Sequence, residues 1–148
     1  MVDRFEKFSC AMFEISRCWH KLAADVMGQY DLRGPYAVYL VALLRSSEPV
    51  TAARLCELCG RDKADVSRAV SEMEKKGILL RQGAQYRATL CLTEMGHKAA
   101  THICSQAATA VEQAGKGFSA EDRDIFYQVL TTITENMKTL CKEGLPTT

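Results

Sequence analysis

The sequence predicts a mainly α fold with one small β-hairpin set between helices. Three observations lead there. Apolar residues recur in steps of three and four near both ends of the chain. Two short helical segments joined at a glycine are followed at once by two short strand-like runs. Capping residues and glycines stand at the expected boundaries of each helix. The chain has 148 residues, enough for one domain with its own core. Hydrophobic residues at 47% and charged residues at 25% are ordinary globular values and exclude wholesale disorder.

In the first 30 residues Phe5, Phe8, Met12, Ile15, Trp19, Leu22 and Val26 form a seam that suits one long helix. Such a stripe either packs on the chain's own core or pairs across a dimer. Gly34-Pro35 restarts the chain, because proline fits a first helical turn. Tyr36 to Leu44 is apolar almost all round and reads as a buried central helix. Thr51 can cap a short helix from Ala52 to Cys59, with Ala53, Leu55, Cys56, Leu58 and Cys59 inward, and Gly60 can close it. Asp62 can cap the next helix, Lys63 to Lys76, which buries Val66, Val70 and Met73. Ile78–Gln82 and Arg87–Leu92 read as strands turning through Gly83-Ala84-Gln85-Tyr86. Thr93 starts a fifth helix, broken at Gly115 and Gly117. Ser119-Ala120-Glu121-Asp122 caps a sixth, whose stripe is Phe126, Leu130, Ile133, Met137 and Leu140. A helix-turn-helix followed by a hairpin is the element order of a winged helix. The whole chain, 1–148, is expected as a single domain. Residues 31–98 would form the winged lobe, and 1–30 with 99–148 a helical dimerisation region.

Charge follows this division. The total is +1, yet residues 61–98 hold eight basic against five acidic residues, while residues 99–148 hold four against six. A locally basic middle suits an anion-binding face. The second helix of a helix-turn-helix enters the major groove by its N-terminal end. There Lys63, Ala64, Ser67, Arg68 and Ser71 lie on or near the open face. Thr51 and Arg54 sit near the DNA backbone, and Arg81 and Arg87 flank the hairpin, where phosphates or the minor groove are within reach.

Four blocks in register carry a resemblance. They are Thr51-Ala52-Ala53-Arg54-Leu55-Cys56, Asp62-Lys63-Ala64-Asp65-Val66-Ser67-Arg68-Ala69-Val70, Met73-Glu74-Lys75-Lys76-Gly77-Ile78 and Leu92-Thr93-Glu94-Met95-Gly96. Over about residues 10–140 the chain resembles the MarR (multiple antibiotic resistance regulator) family of transcription factors. The resemblance implies a homodimer whose first, fifth and sixth helices interlock, through Phe5, Phe8, Met12, Ile15, Phe126, Leu130, Ile133, Met137 and Leu140. It implies a repressor-type regulator that reads a pseudo-palindromic operator in double-stranded DNA. Release by a small apolar or aromatic ligand is implied too, with Trp19, Tyr36 and Tyr39 as candidate crevice residues. The family's wing often carries Asp-x-Arg. Here Gln85-Tyr86-Arg87 keeps the arginine and lacks the aspartate, and the wing is shorter.

The cysteines admit further readings. Seven of them, with no signal-peptide pattern at the N-terminus, suggest reduced thiols in a cytoplasm rather than a disulfide framework. Cys56-x-x-Cys59 falls on the inner face of a short helix, which favours packing, and no second ligand pair accompanies it. One branch of the family senses peroxides with a first-helix cysteine and a following Ser-Arg pair. Ser16-Arg17 is present, but Cys10 stands one residue off that spacing, a turn of about 100° around the helix. Cys10 and Cys18 therefore remain candidates for redox sensing. His20, His97 and His102 form no i, i+4 pair. No phosphate loop, nucleophile elbow or zinc-protease motif occurs, so neither an enzyme nor a cofactor, metal or membrane partner is expected. The competing readings are a thiol-based redox regulator and a winged-helix interaction module without DNA binding.

Overall fold

The computed structural model describes residues 2–84 and 87–146. Its elements run α1 Val2–Gly28, a 3₁₀ turn Gly34–Tyr36, α2 Ala37–Arg45, β1 Val50–Thr51, α3 Ala52–Cys59, α4 Lys63–Lys75, β2 Leu79–Gln82, β3 Thr89–Leu92, α5 Glu94–Ala114 and α6 Ala120–Glu143. The fold is mainly helical with a small antiparallel sheet, as expected. The chain divides into two compact units, residues 1–108 and 109–148, with the boundary inside α5.

The first unit holds the core. Met27, Leu40, Leu55, Val66, Val70, Met73, Ile78 and Leu79 are its largest fully buried side chains. They come from the end of α1, from α2, α3 and α4, and from the entry to the sheet, so one apolar cluster fixes the winged lobe. In α2, Tyr39 and Leu40 are buried but Val38 is exposed, so that helix is not enclosed all round. In α3 only Leu55 is fully buried. Cys56 and Cys59 are half-buried, while Ala53 and Leu58 face solvent, contrary to the inward placement expected of them. Two turns of helix expose too wide an arc for five inward residues.

The sheet has three strands, in the order β1-β3-β2, where the sequence suggests two. The additional strand, β1, is two residues long. It pairs Val50 with Leu90 and Thr51 with Thr89. The hairpin strands pair Leu79 with Leu92 through to Gln82 with Thr89. Gln85 and Tyr86, expected in the turn, lie outside the described residues. β3 begins at Thr89 rather than Arg87, which leaves Arg87 exposed in the turn.

The Thr93–Gly96 segment locks the sheet to α5. Thr93 Oγ1 lies 2.6 Å from Gly77 O and 3.1 Å from Ile78 O, and accepts from Gly96 N at 3.1 Å. A Cβ at Gly96 would meet Ile78 O at 2.0 Å, so the backbones approach too closely for any side chain there.

The second unit is built differently. α6 starts on a capping box: Ser119 Oγ accepts from Asp122 N, and the Asp122 carboxylate accepts from Ser119 N. Arg123 reaches Glu112 at 2.8 Å and the Gly115 carbonyl at 3.1 Å, holding the turn between α5 and α6. Among the described residues α6 buries none of its side chains.

Candidate nucleic-acid interface

Two caps set the helix-turn-helix. Thr51 Oγ1 accepts from Arg54 N at 3.2 Å and opens α3; Asp62 Oδ1 accepts from Asp65 N at 2.8 Å and opens α4. Between them Gly60 takes a left-handed conformation (φ 59°), and Arg61 N donates to Cys56 O. Because Thr51 is also paired to Thr89, the start of α3 is tied to the wing strand.

α4 buries Val66, Ala69, Val70 and Met73. Helical spacing then turns Lys63, Ala64, Ser67 and Arg68 outward, with Ser71 half-exposed beside them. Arg68 is paired with Asp65 one turn back, and Arg54 with Glu57 at 2.9 Å. Arg81 on β2 reaches Glu74 at 3.2 Å, joining the wing to α4. Arg87 has no ion-pair partner among the described residues.

Beside this face runs an open groove of about 450 Å³. Arg33 and Tyr36 line one side. Ser67, Arg68 and Ser71 line the other, with Glu72 and Lys75. The Tyr36 hydroxyl donates to Glu72 Oε2 at 2.5 Å. That bond holds the Glu72 carboxyl below its usual range, while burial, together with Glu72, pushes the Tyr36 hydroxyl up. Glu72 also lies 3.3 Å from Lys76, which reaches Asp31 at 3.2 Å. The chain Tyr36–Glu72–Lys76–Asp31 thus ties α4 to the segment following α1.

The sequence reading places Ser67, Arg68 and Ser71 in the interface but omits Arg33 and Lys75, which share the groove. Lys75 follows Ser71 by four and Arg68 by seven residues, a helical spacing that could have found it. Arg33 carries no such signal; only tertiary packing brings it there.

This geometry has counterparts. Residues 30–86 match the model of the MarR family. A MarR family transcription regulator of known structure superposes with a TM-score of 0.81 at 18% identity, covering 96% of this chain and 95% of the other. The fold is that of the MarR family. A MarR regulator from Methanosarcina mazei Go1 gives 0.78 at 20% identity, over 91% of this chain and 92% of its own. A putative MarR regulator from Listeria monocytogenes, complexed with a 26mer DNA, gives 0.75 at 19% identity, over 93% and 95%. No curated protein matches the chain in sequence. In this chain α3 and α4 make the helix-turn-helix and β2–β3 the hairpin that follows it.

The remaining candidates are scattered. Tyr36 and Tyr39 are buried with ring centroids 6.2 Å apart, whereas Trp19 is 43% exposed and stands outside that pair. Cys10 and Cys18 are exposed; Cys18 Sγ lies 3.8 Å from both a Glu14 carboxylate oxygen and the Arg17 guanidinium. Burial pushes the Cys59 thiol up, away from the thiolate form that metals bind. Among the described residues no cluster of three or more His, Cys, Asp or Glu side chains is arranged to hold a metal ion, and no helix is long and apolar enough to cross a membrane. The seam residues of both end helices are largely exposed. Phe5 is 71% exposed, Ile15 62% and Phe126 52%, with Phe8, Met12 and Met137 above 40%, while Leu130, Ile133 and Leu140 are half-exposed.

Proposed function

We propose that this chain is a cytoplasmic, homodimeric transcriptional regulator that binds double-stranded DNA, a binding protein rather than an enzyme. The observation that carries the reading is the division of α4. Its Val66, Ala69, Val70 and Met73 side anchors it in the core, and its capped N-terminal half offers Lys63, Ala64, Ser67 and Arg68 to solvent. A major groove admits one such helix. Arg81 and Arg87 on the wing then meet the flanking minor groove or its phosphates, and Thr51 and Arg54 the backbone side. The Listeria monocytogenes neighbour, complexed with a 26mer DNA, supports DNA as the ligand.

In this reading residues 31–98 bind DNA, and 1–30 with 99–148 dimerise. Two copies related by two-fold symmetry read a pseudo-palindromic operator. Selection of duplexes from a random-sequence library, followed by footprinting, tests it. The expected footprint has two inverted half-sites with centres about 34–36 Å apart; recovery of no preferred sequence, or of one unrepeated half-site, rejects it. Release by a small apolar or aromatic ligand requires that ligand to bind the DNA-competent arrangement less well than another. Trp19, Tyr36 and Tyr39 are the aromatic residues offered to it. Exposure of Cys10 and Cys18 favours a second trigger, oxidation. Mild peroxide should then release DNA from the native protein and not from a Cys10→Ser, Cys18→Ser variant.

A further inference from the structure

We infer that the groove between Arg33 and Lys75 is a seat for a DNA backbone phosphate, so that the interface extends past α4 to the segment before the 3₁₀ turn. The inference rests on the DNA-binding reading above and adds two residues to it. Arg33 and Lys75 line the same groove as Ser67, Arg68 and Ser71. Among the described residues neither has a carboxylate within ion-pair distance, whereas Arg68 is paired with Asp65. The groove's carboxylate, Glu72, is committed elsewhere: it accepts the Tyr36 hydroxyl and faces Lys76. Glu72 shares Lys76 with Asp31 and is held low first by the Tyr36 bond and in part by Arg33, yet the groove lining still sets three cations, Arg33, Arg68 and Lys75, against this one carboxylate, beside two serine hydroxyls. Arg33 is also braced, its guanidinium 5.8 Å from the centroid of the buried Tyr36 ring. A pre-positioned guanidinium, an ammonium and neighbouring hydroxyls are the donor set that recognises a phosphodiester oxygen. Such contacts fix register on the duplex without reading sequence.

The test is a salt titration of DNA binding by the full chain and by Arg33→Ala, Lys75→Ala and the double variant. Two fluorescent duplexes are used, one recovered by selection and one of random sequence. Each lost phosphate contact should reduce the slope of log K against log salt by about 0.9, and the double variant should lose roughly twice that. Affinity should fall by the same factor on both duplexes, leaving sequence preference unchanged, and Arg33→Lys should restore the slope. Thermal melting of each variant checks that the fold is intact, which the exposed positions of both residues favour. If the native protein binds DNA and the well-folded variants keep its slope, the phosphate seat is wrong and the DNA-binding reading stands. Failure of the native protein to bind either duplex at low salt overturns both.

Discussion

Arg68 is the residue whose role is most open to measurement. It is exposed on the N-terminal half of α4 and paired with Asp65, a partner that a bound DNA would have to displace. Arg68→Ala should cost about 1–3 kcal/mol of operator binding and relax preference at one base position if the guanidinium reads a base edge. Unchanged affinity and preference would make it a surface ion pair. Arg87 supports nothing in the core, so Arg87→Ala should weaken operator binding at constant melting temperature; native affinity would mean that the wing does not touch DNA. Gly96 belongs to stability. An added Cβ would run into the Ile78 carbonyl, and backbone cannot swing aside as a side chain can. Gly96→Ala should destabilise by about 3 kcal/mol, the upper part of the usual overpacking range, seen as a lowered denaturation midpoint. A midpoint within error of the native one would contradict the close approach.

At the scale of elements, α6 fully buries none of its described side chains, with Leu130, Ile133 and Leu140 only half-buried, and its start rests on its cap. Ser119→Ala removes a cap and should cost about 1 kcal/mol. The loss should depend on pH. Asp122 is held below its ordinary value by its bonds to the Ser119 side chain and backbone. A carboxylate with a lowered native value stabilises fully above the unfolded value, near pH 4, and loses that contribution as the pH falls through the native one. The gap between the native protein and Ser119→Ala in chemical denaturation should therefore narrow below about pH 4; a constant gap would show that the carboxylate takes no part. The helices themselves were legible from spacing and caps, since Thr51, Asp62 and Ser119 are read off the chain and each makes its bond. β1 was not. Two residues carry no period, and Val50-Thr51 becomes a strand only because β3 lies alongside.

For the whole molecule, the exposed seams of α1 and α6 are what the proposed homodimer would cover. Phe5, Ile15 and Phe126 are each more than half exposed, and large apolar patches left open to water are uncommon on monomers. Covered by a partner, they would give an obligate-type interface of roughly 2,000–5,000 Å² in total. Dimerisation would also couple two weak DNA contacts and raise avidity by about 10²–10⁴. Phe126→Glu with Ile133→Glu should therefore yield monomers by light scattering and abolish tight operator binding with every proposed DNA contact intact. A stable monomer of the native chain at micromolar concentration would remove both the dimer and the palindrome.

The sequence by itself determined the order of helices and hairpin, because capping and periodicity are local and each is encoded within a few residues. It also marked Lys63, Ser67 and Arg68 as one helix face, since the 3.6-residue turn fixes which side chains lie together. Tertiary structure alone decided which of those faces are covered. Ala53 and Leu58 have the pattern of core residues and stand in solvent. It alone brought Arg33 beside Lys75, because no periodicity relates residues on different elements. Burial and charge pairing depend on what packs opposite, and that partner is distant in the chain.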